Sequence, residues 1–203
     1  MSEATPGGVE AALRALLARR APSPHGDFDV RDVRSDELRP AAVLVLLERG
    51  AAWRVVLTKR TMQVDHHKGE VSFAGGMRDA GDADAEATAL REAHEELGLD
   101  PARVDIVGRL DSYFTVSKFL VTPVVGVVDP DLPLAPSPIE VERILRVPIA
   151  YLREPRHWFD DVREWRGERR VLRSCRFGED LIWGATSRML QRFLEIVPAD
   201  LLP

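Results

Sequence analysis

The chain has 203 residues, of which 45% are apolar and 30% charged, and a formal net charge of −5. That length supports one substantial core and is too short for two equal domains. The acidic balance gives no general attraction to nucleic acid or anionic membranes, and no apolar run is long enough to span a bilayer. Cys175 is the only cysteine, which excludes an intrachain disulfide and a cysteine-rich zinc site. It reads as a small buried residue. The N-terminus lacks the basic-then-apolar order of a secretory signal, so the reducing cytoplasm is the expected location.

Residues 8–20 have helical periodicity and are expected to form a helix outside the catalytic core. The proline-bearing stretch that follows reads as a linking segment, so residues 1–38 form an N-terminal helix plus linker ahead of a main domain over 39–200. AAVLVLLE and WRVVLTKR, joined by Arg49-Gly50-Ala51-Ala52, read as a β-hairpin. A loop from Thr61 then leads to a glycine turn at Gly75-Gly76, an acidic loop, and a helix that stops at Gly98. Residues 103–114 and 119–128 read as strands, and 141–152 as a strand running into a helical turn. Residues 161–177 read as a hairpin turning at Gly167, and an amphipathic helix runs to about Val197.

The helix before Gly98 carries the chemistry. At about 100° per residue, Glu92, Glu95 and Glu96 fall within roughly a quarter-turn arc, with Leu90, Ala93 and Leu97 opposite. One face can pack on a core while the other gathers negative charge. Crowded carboxylates raise one another's pKa unless something positive joins them. Hard oxygen donors of this kind suit Mg²⁺ or Mn²⁺. Spacing alone also fits a solvated acidic face.

The run Arg91-Glu92-Ala93-His94-Glu95-Glu96-Leu97-Gly98-Leu99 resembles, at every position, the second half of the Nudix hydrolase signature. The first half differs. Asp82 stands where the family has Glu, and eight residues rather than seven precede Arg91. The resemblance implies an α+β fold, an α/β/α sandwich with a mixed β-sheet. It also implies hydrolysis of a nucleoside diphosphate linked to another group.

Two flanking stretches, Leu57 to Thr61 and Gly69 to Gly76, look like the extra motif of the coenzyme A pyrophosphatases, which share the inserted residue. Val121 to Gly126 and Ile182 to Ser187 agree with it, while Ala74 and Asp65 replace the usual Pro and Arg. The resemblance therefore implies cleavage of coenzyme A or its thioesters to 3′,5′-ADP and 4′-phosphopantetheine. Alternatives are another substrate such as ADP-ribose or NADH, and a non-catalytic nucleotide-binding module.

The expected metal ligands are Glu92 and Glu96 with Glu95, and Arg91 orients a carboxylate. A helix glutamate, Glu70 or Glu140 is the candidate general base. Lys59, Arg60, Lys68 and Arg78 are the phosphate-binding candidates, and Gly75 and Gly76 would let a substrate approach the backbone. His66 and His67 lack the ligand set of a zinc site. The partner is a small molecule, with no nucleic acid and no membrane, and a homodimer is left open.

Overall fold

The structure is a computed structural model that describes residues 7–20, 23–26, 37–165 and 167–202. Most of the linking stretch lies outside the described residues. The chain runs α1 (Gly8–Ala18), β1 (His25–Gly26), β2 (Arg39–Glu48), β3 (Arg54–Arg60), β4 (Val71–Ser72), β5 (Ala74–Met77) and α2 (Ala85–Leu97). After a 3₁₀ turn at Pro101–Arg103 come β6 (Asp105–Arg109), β7 (Tyr113–Phe114), β8 (Phe119–Val128), β9 (Val141–Pro148) and α3 (Ile149–Arg153). The last elements are β10 (Trp158–Trp165), β11 (Glu168–Phe177), β12 (Asp180–Ile182) and α4 (Gly184–Ile196).

Among the described residues the strands form a nine-stranded mixed sheet and a separate three-stranded sheet, β10-β11-β12. β2 is the organising strand. It pairs in parallel with β8 along its whole length and antiparallel with both β3 and β5. The expected β2–β3 hairpin exists only over Leu46↔Val56 to Glu48↔Arg54, while β9 pairs with β3 along its whole length on the other edge.

Because side chains alternate across a strand, β2 feeds two cores. Ala42, Leu44 and Leu46 pack with Ala89, Ala93 and Leu97 of α2. Val45 and Leu47 share the other core with Leu13 of α1 and with Met189, Leu190 and Phe193 of α4. This is the three-layer sandwich expected from the sequence. Helix α1, expected outside the catalytic core, is part of that second core. Val9, Leu13 and Leu17 are buried there, and Arg14 pairs with Asp105 on β6. The periodicity identified the helix but could not reveal a partner some ninety residues away.

Gly75 and Gly76 lie in β5 opposite Val43 and Ala42, not in a turn. A Cβ at Gly75 would come 2.4 Å from the Ala42 carbonyl oxygen, and one at Gly76 would come 2.5 Å from Glu92 Oε1. The glycines therefore let strand, neighbouring strand and helix lie in direct contact. The downstream hairpin is as expected, with Gly167 at φ 80° between β10 and β11. Cys175 is fully buried, and burial pushes its thiol up to about 11.

Candidate active site

Helix α2 is fixed at both ends by local chemistry. The Asp84 carboxylate accepts from the amides of Glu86 and Ala87 at 2.9 and 3.0 Å, satisfying first-turn donors. At the other end Gly98, at φ 63°, donates to the His94 carbonyl. The segment after β8 folds over this end, with the Ala135 amide on the Leu97 carbonyl and the Ser137 amide on that of Glu96. The same segment brings Glu140 beside the helix. The Thr61 amide, just past β3, donates to the Glu140 carbonyl, and the Thr61 hydroxyl donates to that of Ile139.

Glu92, Glu95 and Glu96 sit in three different environments. Glu96 is buried at 2% exposure, and one oxygen, Oε1, meets Arg60 at 3.3 Å. Its second oxygen is buried with no hydrogen-bond partner among the described residues. Burial pushes Glu96 up to about 7 against the pull of Arg60, with Glu140 and Glu92 adding repulsion. Glu92 is half-buried over Gly76, and burial raises it too, opposed by Arg91 and reinforced by Glu95 and Glu140. Glu95 is largely exposed and meets Arg91 at 3.1 Å.

Arg91 ties the cluster to the acidic loop. Its Nε and Nη2 donate to the two oxygens of Asp82, both at 3.1 Å, and Nη2 also donates to the Met77 carbonyl. Nη1 reaches Glu92 at 2.9 Å and Glu95 at 3.1 Å. The Asp79 amide gives Asp82 a further hydrogen bond. The hydrogen bonds from Arg91 hold Asp82 well below the usual carboxylate range. Asp82 is thus a clamp for Arg91, a role that the residue-type reading missed. A carboxylate and an arginine nine positions apart across a helix start were its sequence signal.

The structure does not bring every phosphate-binding candidate to this cluster. Lys59 points to the opposite face of β3, 3.2 Å from Asp180 on β12. The period of two already separates it from Arg60. Arg78 donates to the carbonyls of Asp82 and Ala83 and so props the acidic loop. Lys68 is exposed on the β3–β4 connection. Glu70 is held by His67 at 2.9 Å, and that hydrogen bond raises the imidazole above its ordinary pKa. Of the loop acids, Glu140 is the one whose charge is felt by both Glu92 and Glu96.

No group of three or more His, Cys, Asp or Glu side chains among the described residues stands ready to hold an ion. The donors nevertheless fit a hard divalent cation. Glu92 and Glu96 are acid oxygens under mutual repulsion, and one Glu96 oxygen is buried and unpartnered. What keeps the set open is that Arg60 and Arg91 already hold these carboxylates. A cavity of about 670 Å³ lies elsewhere, beside α1 and β6, and its Arg14, Arg20 and Arg109 are all paired with acids.

A capped carboxylate helix packed on a glycine strand of a mixed sheet defines the Nudix class of fold. Residues 37–166 match the NUDIX domain family model, and the chain belongs to the Nudix hydrolase family. It is 39% identical over 154 residues to uncharacterized Nudix hydrolase NudL of Cronobacter sakazakii, covering 75% of this chain and 80% of that protein. It is 36% identical over 167 residues to Nudix hydrolase 15, mitochondrial, of Arabidopsis thaliana, covering 77% of this chain and 59% of the relative. The chain thus spans little more than half the length of that plant protein. Among solved structures, DR0079 from Deinococcus radiodurans shares the fold with a TM-score of 0.52 at 13% identity, covering 81% of this chain and 89% of that one. Nudix hydrolases generally use divalent metals. No described helix is long and apolar enough to cross a membrane.

Proposed function

We propose that the chain is a divalent-metal-dependent pyrophosphatase that hydrolyses coenzyme A or its thioesters to 3′,5′-ADP and 4′-phosphopantetheine in the cytoplasm. One observation carries the reading. The stretch similar to the coenzyme A pyrophosphatases, residues 57–76, is wrapped around the carboxylates, with Arg60 on Glu96 and Gly76 under Glu92.

Glu92 and Glu96, with Glu95 at the rim, would hold Mg²⁺ or Mn²⁺. When bound, such an ion neutralises pyrophosphate charge and makes coordinated water acidic enough to attack near neutral pH. The protein's own groups do the rest. Arg91, locked by Asp82, fixes Glu92 and Glu95 relative to β5. Glu140, whose charge is felt by both Glu92 and Glu96, would accept the proton of the attacking water. The water adds to one phosphorus, the bridging oxygen leaves with the other phosphate, and that leaving oxygen takes up a proton.

A second reading has its own support. Lys59 is committed to Asp180 and Arg78 to loop carbonyls, which removes two of the cations expected for a ribose 3′-phosphate. The same hydrolysis of ADP-ribose or NADH needs no such phosphate site. The deciding experiment incubates the protein with magnesium and coenzyme A, 3′-dephospho-coenzyme A, ADP-ribose or NADH, and weighs the products. The coenzyme A reading requires kcat/KM for coenzyme A at least tenfold above that for its dephospho form. Equal values transfer the assignment to the second reading.

A further inference from the structure

Arg60 and Arg91 both hold carboxylates of the helix, but in unlike ways. Arg91 has all three guanidinium nitrogens engaged, on Asp82, the Met77 carbonyl, Glu92 and Glu95. Arg60 makes one contact, Nη1 to Glu96 Oε1 at 3.3 Å. That is long for a charge-assisted hydrogen bond, whose usual range is about 2.7–2.9 Å. Its Nε is buried without a hydrogen-bond partner among the described residues, and so is the second oxygen of Glu96. A guanidinium and a carboxylate can pair through two parallel hydrogen bonds, as the fork of Arg allows. Here both partners are left half satisfied.

The Arg60 backbone, in contrast, is secure. Its amide donates to the Glu70 carbonyl at 2.9 Å, and the residue pairs with Val141 of β9. The side chain can therefore leave Glu96 without disturbing the strand. The surrounding charge favours a stronger cation, because Glu92 and Glu140 both repel the Glu96 carboxylate, which Arg60 and the Gly75 backbone amide only partly relieve.

We propose that Arg60 is a displaceable placeholder for the divalent cation. Its guanidinium holds Glu96 in the metal-free protein, gives it up on metal binding, and turns to the anionic phosphates of the substrate. This rests on the reading of Glu92 and Glu96 as metal ligands. Because Arg remains protonated throughout, the exchange is cation for cation. It would make metal loading the step that frees a positive charge for the pyrophosphate, so metal precedes substrate.

The test is Mn²⁺ binding without substrate, followed by the electron paramagnetic resonance of the free ion, on wild type, Arg60→Met and Glu96→Gln. Removing the competing charge makes Arg60→Met bind Mn²⁺ about tenfold tighter. Glu96→Gln binds at least tenfold more weakly. On the Mn²⁺-loaded protein, calorimetry with inorganic pyrophosphate shows about tenfold weaker binding for Arg60→Met, since the released cation is gone. Opposite movement of the two affinities is what a merely structural arginine does not produce. Should Arg60→Met fail to fold, Arg60→Gln keeps a hydrogen bond to Glu96 and carries the same expectation. Mn²⁺ binding to Glu96→Gln as tight as to wild type overturns the ligand reading, and the placeholder with it. Loss of binding in Glu96→Gln, with Arg60 variants no tighter than wild type, overturns the placeholder alone.

Discussion

Two buried carboxylates, each facing arginine, occupy opposite layers of the molecule and behave oppositely. Asp111, between β6 and β7, has both oxygens engaged. Oδ1 accepts the Ser23 amide at 2.9 Å, and Oδ2 accepts Arg20 at 3.0 Å and Arg192 at 2.8 Å. Desolvation pushes its pKa up, but those hydrogen bonds and charges outweigh it, and the net shift is downward. Glu96 is as deeply buried but has one long contact to arginine and one oxygen without a hydrogen-bond partner among the described residues, and it is pushed up to about 7. Asp111 is a closed tie that joins the start of the chain and α4 to the sheet. Glu96 keeps an oxygen free of hydrogen bonds among the described residues, as its proposed role as a metal ligand requires. Burial alone does not tell the two apart, whereas the number of hydrogen bonds each carboxylate accepts does.

The sharpest way to break this contrast is to neutralise each acid. Glu92→Gln or Glu96→Gln keeps size and loses charge, and turnover in magnesium falls by about 10² or more, the scale of lost transition-state electrostatics. Stability holds or rises, since repulsion within the cluster is relieved. Steady-state rates with a paired urea melt check both. A near-normal rate in either variant removes the assignment of that glutamate.

Asp111→Ala reverses the pattern. It leaves Arg20, Arg192 and the Ser23 amide without their acceptor, and the urea midpoint drops by the equivalent of about 2 kcal/mol. The turnover number stays within about twofold of wild type, because the site lies across the sheet. A large loss of turnover with intact stability would make Asp111 part of the active machinery and erase the distinction.

How much of this was legible in the sequence follows the range of each interaction. The arc of Glu92, Glu95 and Glu96 and the stop at Gly98 depend on neighbours within a few turns, and both were read; the cap at Asp84 is equally local but was not identified. Gly75 and Gly76 were read as a turn because their partners, Val43 and Ala42, are some thirty residues distant, and only sheet register supplies them. Lys59 and Arg60 were grouped by residue type, although strand alternation sends one to Asp180 and the other to Glu96. Asp180 carried no signal at all, since it comes from the second sheet.

Asp82→Asn probes a third acid, satisfied like Asp111 yet attached to the site through Arg91. The Asn keeps one acceptor for Arg91 and loses the two-oxygen grip. Glu92 and Glu95 then lose their fixed distance from β5, and kcat falls about tenfold, the range seen when a supporting partner of a ligand is removed. KM changes little, because Asp82 makes no contact with the expected phosphate path. Asp82→Glu restores most of kcat if reach is the only difference. A KM-dominated effect would show that the acidic loop binds substrate directly, which is a different role from clamping.

The smallest effect is on acid stability, and it tests the closed tie by itself. Asp111 has a folded pKa depressed below the unfolded value of about 3.9. The stability it contributes is therefore complete above about pH 4 and is lost as pH falls through the depressed folded value. The groups facing it are Arg20, Arg192 and the Ser23 amide, with His25 and Glu195 nearby. Of these, both arginines stay charged over that range, and Glu195 is paired with Arg192 at 2.9 Å. Asp111→Asn removes the titrating group while keeping its shape. Wild type should lose more stability than Asp111→Asn between pH 5 and pH 2.5, in urea melts at fixed ionic strength. Parallel stability curves for the two proteins over that interval would mean that Asp111 titrates alike in the folded and unfolded chains. The three hydrogen bonds would then hold geometry without favouring charge, and the contrast with Glu96 would reduce to shape.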